Sequence, residues 1–176
     1  MKGGKSFMNI FKEIKPEELD KSPFQLIGKD WMLITAEKDN KINTMTASWG
    51  GFGVLWGKNV AFIFIRPQRY TKEFVENSDT FSLTFFDKTF KKELGYLGRV
   101  SGKDEDKISK ANLTIQHSDS TPYFDEANTT IICNKLYAQD IKPECFISSE
   151  LDISMYPEKD YHTMYIAEIK KVLIKE

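Results

Sequence analysis

The sequence predicts a mainly β protein: a barrel of antiparallel strands with a few short helices on its flanks. Three observations predict it. Short apolar or alternating runs of strand length recur at 31–36, 59–66, 79–86, 129–138 and 161–174, bounded by Gly, Pro, Asn and Asp. Helix-period patterns are brief and never alternate regularly with these runs, which disfavours a doubly wound parallel sheet. No GxGxxG follows a strand, so a Rossmann domain is not supported, and there is no internal repeat.

Taken in order, residues 1–25 read as a lead-in around Pro16 and Pro23, with one turn of helix at Glu17–Leu19, and residues 26–176 as a single domain. Trp31–Ala36 has the apolar look of a buried strand. Asp39-Asn40-Lys41 then turns the chain into a hairpin that ends at Thr46–Trp49. Gly50, Gly51, Gly53 and Gly57 predict a loop or an irregular strand with close backbone approach. Asn59–Arg66 is the strongest strand, and Thr71–Asn77 reads as a two-turn helix with Thr71 near its N-cap. In 79–86 the period is two, with Phe81, Leu83 and Phe85 on one face and Ser82, Thr84 and Phe86 on the other. Phe90, Leu94 and Leu97 mark an amphipathic helix over Lys88–Gly98, weakened by Gly95, and a second short helix is expected over Asp104–Ala111. Leu113–His117, Thr129–Ala138 and Tyr161–Ile174 are strand-like, with turns or loops at Asp119–Asp125 and Lys142-Pro143-Glu144. Phe146–Met155 suits helix and strand equally.

At 176 residues and 20.4 kDa the chain is long enough to bury a core without disulfides or metals. Twenty-five Lys plus Arg against 26 Asp plus Glu leave a net charge of −1, so no global field draws it onto nucleic acid or an anionic membrane. Any anion it binds must be held locally. Cys133 and Cys145 have neither CxxC nor zinc-site spacing, and no metal site is expected. With no apolar h-region after Met1 and no run of membrane-span length, a cytoplasmic protein in a reducing compartment is expected, with Met8 an alternative start to Met1.

Two stretches carry chemistry. In Asn43-Thr44-Met45-Thr46-Ala47-Ser48-Trp49-Gly50-Gly51-Phe52-Gly53, small and hydroxyl-bearing residues let backbone amides approach a flat ligand with a polar edge. In Arg66-Pro67-Gln68-Arg69-Tyr70-Thr71, a strand turns at Pro67, places a guanidinium at Arg69 and enters a helix at Thr71, a pattern suited to a phosphate. Ring and phosphate together describe a mononucleotide. Each has an ordinary alternative: a helix cap beside a solvated arginine for Arg69 and Thr71, a hairpin residue for Asn43, and a packed strand end for Thr46–Trp49.

These stretches resemble the flavin reductase-like, FMN-binding split-barrel family, and within it the flavoredoxin-like branch. The resemblance continues through Thr80-Phe81-Ser82-Leu83-Thr84-Phe85-Phe86, Ser101-Gly102-Lys103-Asp104-Glu105-Asp106-Lys107 and Asp160-Tyr161-His162-Thr163-Met164-Tyr165-Ile166-Ala167-Glu168-Ile169, covering roughly 30–172. One departure is Ala167, where the family pattern leads one to expect Gly.

The resemblance implies an FMN-binding split β-barrel working as a homodimer. It implies that Thr46, Ala47, Ser48 and Trp49 line the flavin with Asn43 near the ribityl chain, and that Arg69 and Thr71 hold the phosphate. It also places Lys107 or Lys103 close to the phosphate or the ring, and His162 near the reacting side. The implied chemistry is hydride delivery from NADH or NADPH to the flavin, with no protein acid or base required. Three functions stay open: an NAD(P)H-dependent flavin reductase, a flavoredoxin-like carrier exchanging electrons with a redox partner protein, and a barrel binding some other phosphorylated ligand.

Overall fold

The computed structural model describes residues 9–176; the alternative starts at Met1 and Met8 lie outside them. The chain runs through β1 (Phe11–Ile14), a 3-10 turn (Pro16–Glu18), α1 (Pro23–Gln25) and a π turn (Leu26–Asp30). The strands β2 (Met32–Lys38), β3 (Lys41–Ala47), β4 (Gly50–Leu55) and β5 (Lys58–Ile65) follow. Next come α2 (Thr71–Asn77), β6 (Thr80–Phe85), a 3-10 turn (Lys88–Phe90), α3 (Lys91–Arg99) and α4 (Lys107–Lys110). The remaining elements are β7 (Ile115–Ser118), β8 (Thr121–Phe124), β9 (Thr129–Asp140), a 3-10 turn (Pro143–Cys145), α5 (Ser149–Met155) and β10 (Thr163–Lys175).

Eight strands form one antiparallel sheet in the order β3-β2-β6-β9-β10-β5-β4, with β1 added on β10. The two end strands, β3 and β4, are neighbours in sequence but are not paired. Ser48 and Trp49 form the corner between them, and there the barrel is split. Gly50 makes the corner possible: a Cβ built on it would lie 2.5 Å from the Phe62 carbonyl oxygen, inside van der Waals contact.

The period of two sets the inside and the outside. Met32, Ile34 and Ala36 of β2, Phe81, Leu83 and Phe85 of β6, and Ile63 and Ile65 of β5 fill the barrel interior. Leu33 and Phe86 point the other way, into a second apolar cluster with Leu94 and Leu97 of α3, Ile108 of α4 and Phe124 of β8. Both faces of this part of the sheet are therefore covered. Ser82 and Thr84, expected on the opposite face from Phe81, lie there but are fully buried; Ser82 Oγ donates to the Pro122 carbonyl at 2.6 Å.

Several elements differ from expectation. The glycine-rich stretch after Trp49 is a regular strand, because β4 pairs with β5 through its backbone and needs no side chains to do so. Asp119–Asp125 contains β8, which forms a hairpin with β7 around Asp119, whose φ is +54°. Residues before Pro16 contribute β1, held on the end of β10 from Phe11↔Lys175 to Ile14↔Val172. Within Phe146–Met155, Ser149–Met155 is helix, as α5. Ala167 is buried inside the barrel opposite Ala61, at a bulge in the β9–β10 ladder.

Candidate functional site

The corner between β3 and β4 opens onto a cleft of 350 Å3 whose wall includes Thr46, Ala47, Ser48, Trp49, Arg66, Arg69 and His162. Topology brings them together. Arg66 directly follows β5 and His162 directly precedes β10, and these two strands are paired at Ile65↔Thr163, so both side chains emerge at one end of the barrel beside the corner. Ser48 and Trp49 are exposed there, and the Trp49 and His162 rings lie 4.9 Å apart. The Thr46 hydroxyl donates to the Leu94 carbonyl at 2.6 Å, which fastens the end of β3 to α3.

A smaller cavity of 190 Å3 lies next to the cleft, lined by Asn43, Arg69, Thr71, Ser101, Gly102 and Lys107 among others; Arg69 belongs to both. Arg69 is held by carbonyls: Nη1 donates to Gly98 at 2.7 Å and Nη2 to Thr46 at 3.3 Å. Two of its five N–H groups are thus used, leaving the others for a ligand. Lys107 is buried, with its ammonium donating at 2.9 Å to the carbonyls of both Leu97 and Val100 at the C-terminal end of α3. Burial, reinforced by the positive charge of Arg69, pushes its pKa down to about 8. Burial also lowers the pKa of Arg69. Neither cation forms an ion pair with a carboxylate among the described residues. Buried Lys107 and half-buried Arg69 thus lie side by side without a counter-charge, a setting that favours an anion.

Thr71 is not the N-cap of α2 but its first residue, following Tyr70 at the cap position. Its buried hydroxyl accepts from Asn43 Nδ2 at 2.9 Å, which ties β3 to α2. The backbone amides of Lys72 and Glu73 are already bonded to the carbonyls of Arg69 and Tyr70, so side-chain cations, rather than a fan of free helix amides, give the cavity its positive character. Thr44 is turned away and bonded to Thr35 at 2.8 Å and to the Ile34 carbonyl. Lys103 is engaged by Glu73 at 2.8 Å over the Tyr70 ring, whereas Lys107 faces the cavity.

His162 is buried, with Nδ1 2.8 Å from the Tyr156 hydroxyl. Burial first, then the charge of Arg66, lowers its pKa to about 4 against the opposing pull of Asp160, so the ring is neutral at pH 7. Arg66 braces this corner by pairing with Asp160 at 2.5 Å, donating to the Met155 carbonyl at 2.9 Å and lying over the Tyr156 ring. The sequence reading missed Tyr156, Gly102 and this role of Arg66. Tyr156 lies in a stretch with no periodic signal. Gly102 matters through a distant contact: a Cβ there would sit 2.1 Å from Asn43 Oδ1.

Among the described residues no cluster of His, Cys, Asp and Glu is suited to a metal ion, and no helix is long and apolar enough to cross a membrane. No curated protein sequence matches the chain. Among solved structures it is similar to an FMN-binding domain of a flavin reductase-like enzyme from Shewanella baltica, with a TM-score of 0.68 at 14% identity over 96% of this chain and 78% of that one. It is also similar to the flavoredoxin of Desulfovibrio vulgaris, at 0.65 and 21% over 83% and 69%. A third likeness is to the Streptomyces globisporus NADH:FAD oxidoreductase, at 0.63 and 12% over 84% and 77%. At these identities the likenesses establish a shared fold. The family model described as Flavin reductase like domain matches residues 25–176, nearly the whole chain. With the split antiparallel barrel and the cleft at its corner, that match places this chain in the flavin reductase-like domain family.

Proposed function

We propose that the protein binds FMN and acts as an NAD(P)H-dependent flavin reductase, working as a homodimer. The observation that carries this reading is the uncompensated pair of cations, half-buried Arg69 and buried Lys107, at the side of a cleft walled by small residues. A phosphate dianion in the smaller cavity would supply the missing charge, taking the spare guanidinium N–H groups and the hydroxyl of Ser101. Asn43 and Thr71 shape that cavity through their mutual hydrogen bond.

The cleft has the character needed for the rest of the ligand. Thr46, Ala47 and Ser48 leave backbone groups within reach of a flat ring with a polar edge, and Trp49 with neutral His162 forms an aromatic wall. When bound, FMN supplies the redox chemistry, accepting a hydride equivalent and passing it on to an acceptor. The residues here bind, orient and screen. The charge of Arg69 favours negative charge in the cleft, and the depressed pKa of His162 keeps that ring from exchanging protons near neutrality. Val54, Trp56, Ile147, Leu151, Ile153 and Met155 are large apolar side chains exposed to solvent, which a second copy would cover.

The test is a visible spectrum of the purified protein with FMN, repeated without oxygen after adding NADH and, separately, NADPH. Rapid bleaching of the flavin band by either nucleotide is the expected result, and it names the donor. A band that persists with both but bleaches with dithionite would make the protein an electron carrier serving a redox partner. The absence of any FMN binding would overturn the flavin reading.

A further inference from the structure

The two nitrogens of His162 have different surroundings. Nδ1 faces the Tyr156 hydroxyl at 2.8 Å, while Nε2 has no hydrogen-bond partner among the described residues and belongs to a ring in the cleft wall. The position of the proton decides whether the cleft meets a donor or an acceptor at this point. Tyr156 is itself buried; its hydroxyl has His162 Nδ1 as side-chain partner, and the His162 backbone also lies against it. A phenol pointed at Nδ1 without donating would bury an unpaired proton. Burial raises the pKa of the Tyr156 phenol, and the Arg66 guanidinium, 5.1 Å from the centre of its ring, pulls the other way while opposing a second proton on the imidazole. Arg69 acts in the same direction. Asp160 acts against it, but its Oδ2 is already engaged by Arg66 and by Gln68 at 2.8 Å.

We propose that Tyr156 is a positioning residue: its hydroxyl donates to Nδ1 of His162 and fixes the neutral imidazole with its proton on Nε2, giving the cleft a hydrogen-bond donor beside Trp49. The functional part rests on the flavin reductase reading, in which this N–H meets a carbonyl oxygen of the bound nicotinamide or flavin. The side chain that sets the donor lies in the irregular segment after α5, so that segment governs one polar contact in the cleft.

The test is long-range nitrogen NMR of the imidazoles. There are two histidines, and His117→Gln leaves His162 alone in the spectrum. The expected wild-type result, with or without flavin, is an acceptor-type Nδ1 and a protonated Nε2 that do not titrate between about pH 8 and about pH 5.5. A proton on Nδ1, or a charged ring in that range, would overturn the proposal. In Tyr156→Phe the two nitrogen signals should move toward their average. The KM for the nucleotide should rise on the order of 3- to 10-fold, with FMN affinity unchanged. An unchanged tautomer in that variant would also overturn it. The wild-type spectrum needs no variant and no cofactor. A protein that binds no flavin would therefore sink the functional reading while leaving the tautomer result to stand or fall separately.

Discussion

Arg69 and Lys107 make separable predictions. Arg69→Ala should weaken FMN binding by about 2–4 kcal/mol, roughly 30- to 900-fold, since it removes the half-buried guanidinium proposed to pair with the phosphate. Riboflavin, which lacks the phosphate, should lose far less; equal losses in parallel fluorescence titrations would refute the phosphate assignment. Lys107 predicts a pH effect. Its folded pKa of about 8 lies below the ordinary lysine value, so the charged form is disfavoured by folding. For this group alone, the empty protein gains stability as pH rises from about 8 toward the unfolded value, because the unfolded chain then holds the extra proton. A bound phosphate reverses the preference. FMN binding near pH 9 should therefore take up a proton, seen as a calorimetric enthalpy that varies with the buffer, and Lys107→Met should abolish it. At this scale the stretches around Thr46–Trp49 and Arg66–Thr71 each concentrate their residue types in one local pattern, and the structure brings Thr46–Trp49, Arg66 and Arg69 to the cleft and Thr71 to the smaller cavity. Tyr156 and Gly102 were not legible in the sequence, since their roles arise only where distant segments meet.

Among the elements, the corner between β3 and β4 is the one most exposed to a single substitution. Gly50→Ala places a methyl group against the Phe62 carbonyl oxygen, which must shift to admit it. The expected cost is about 1–3 kcal/mol, with Tm falling by about 2–4 °C per kcal/mol in a domain of this size, measurable by calorimetry. Gly102→Ala presses on Asn43 instead and should disturb its bond to Thr71, and with it the smaller cavity. The strands with strong apolar alternation, β2, β5, β6, β9 and β10, were readable because their side chains alone fix which face is buried. β4 and β8 were not. Glycines and Pro122 ordinarily mark turns, and both strands are recruited by backbone pairing with a neighbour that local sequence does not reveal. Local sequence likewise puts Ser82 and Thr84 on the face opposite Phe81 without revealing that the β7–β8 hairpin packs there, with Pro122 accepting from Ser82.

For the whole molecule, the exposed apolar side chains on and before α5 predict self-association. Sedimentation velocity should show a dimer, and the double substitution Leu151→Glu and Ile153→Glu should shift it toward monomer with the fold intact. A wild-type protein that sediments as a monomer at tens of micromolar would remove the dimer from the proposal. Two apolar clusters, one inside the barrel and one beneath the helices, share the β2–β6 region as their common wall. The site lies at the open end of that wall, where β3 and β4 separate. A mainly β chain was predictable from periodicity, but the location of the split was not, since it depends on which two strands fail to pair.

The pairing of β10 has a consequence for the order in which the molecule is assembled. One edge of this strand carries β9, and the other is divided between β5 over Thr163–Glu168 and β1 over Val172–Lys175. Among the described strands, the one that joins the two halves of the sheet is also synthesised after all the others. During translation β5 and β9 wait with unpaired backbone edges, and β1, made first, waits longest. Such long-range closure is slow, and until it happens the nascent chain exposes sticky edges. Production of this protein should therefore depend more on the final fourteen residues than on any equally long stretch of its surface loops.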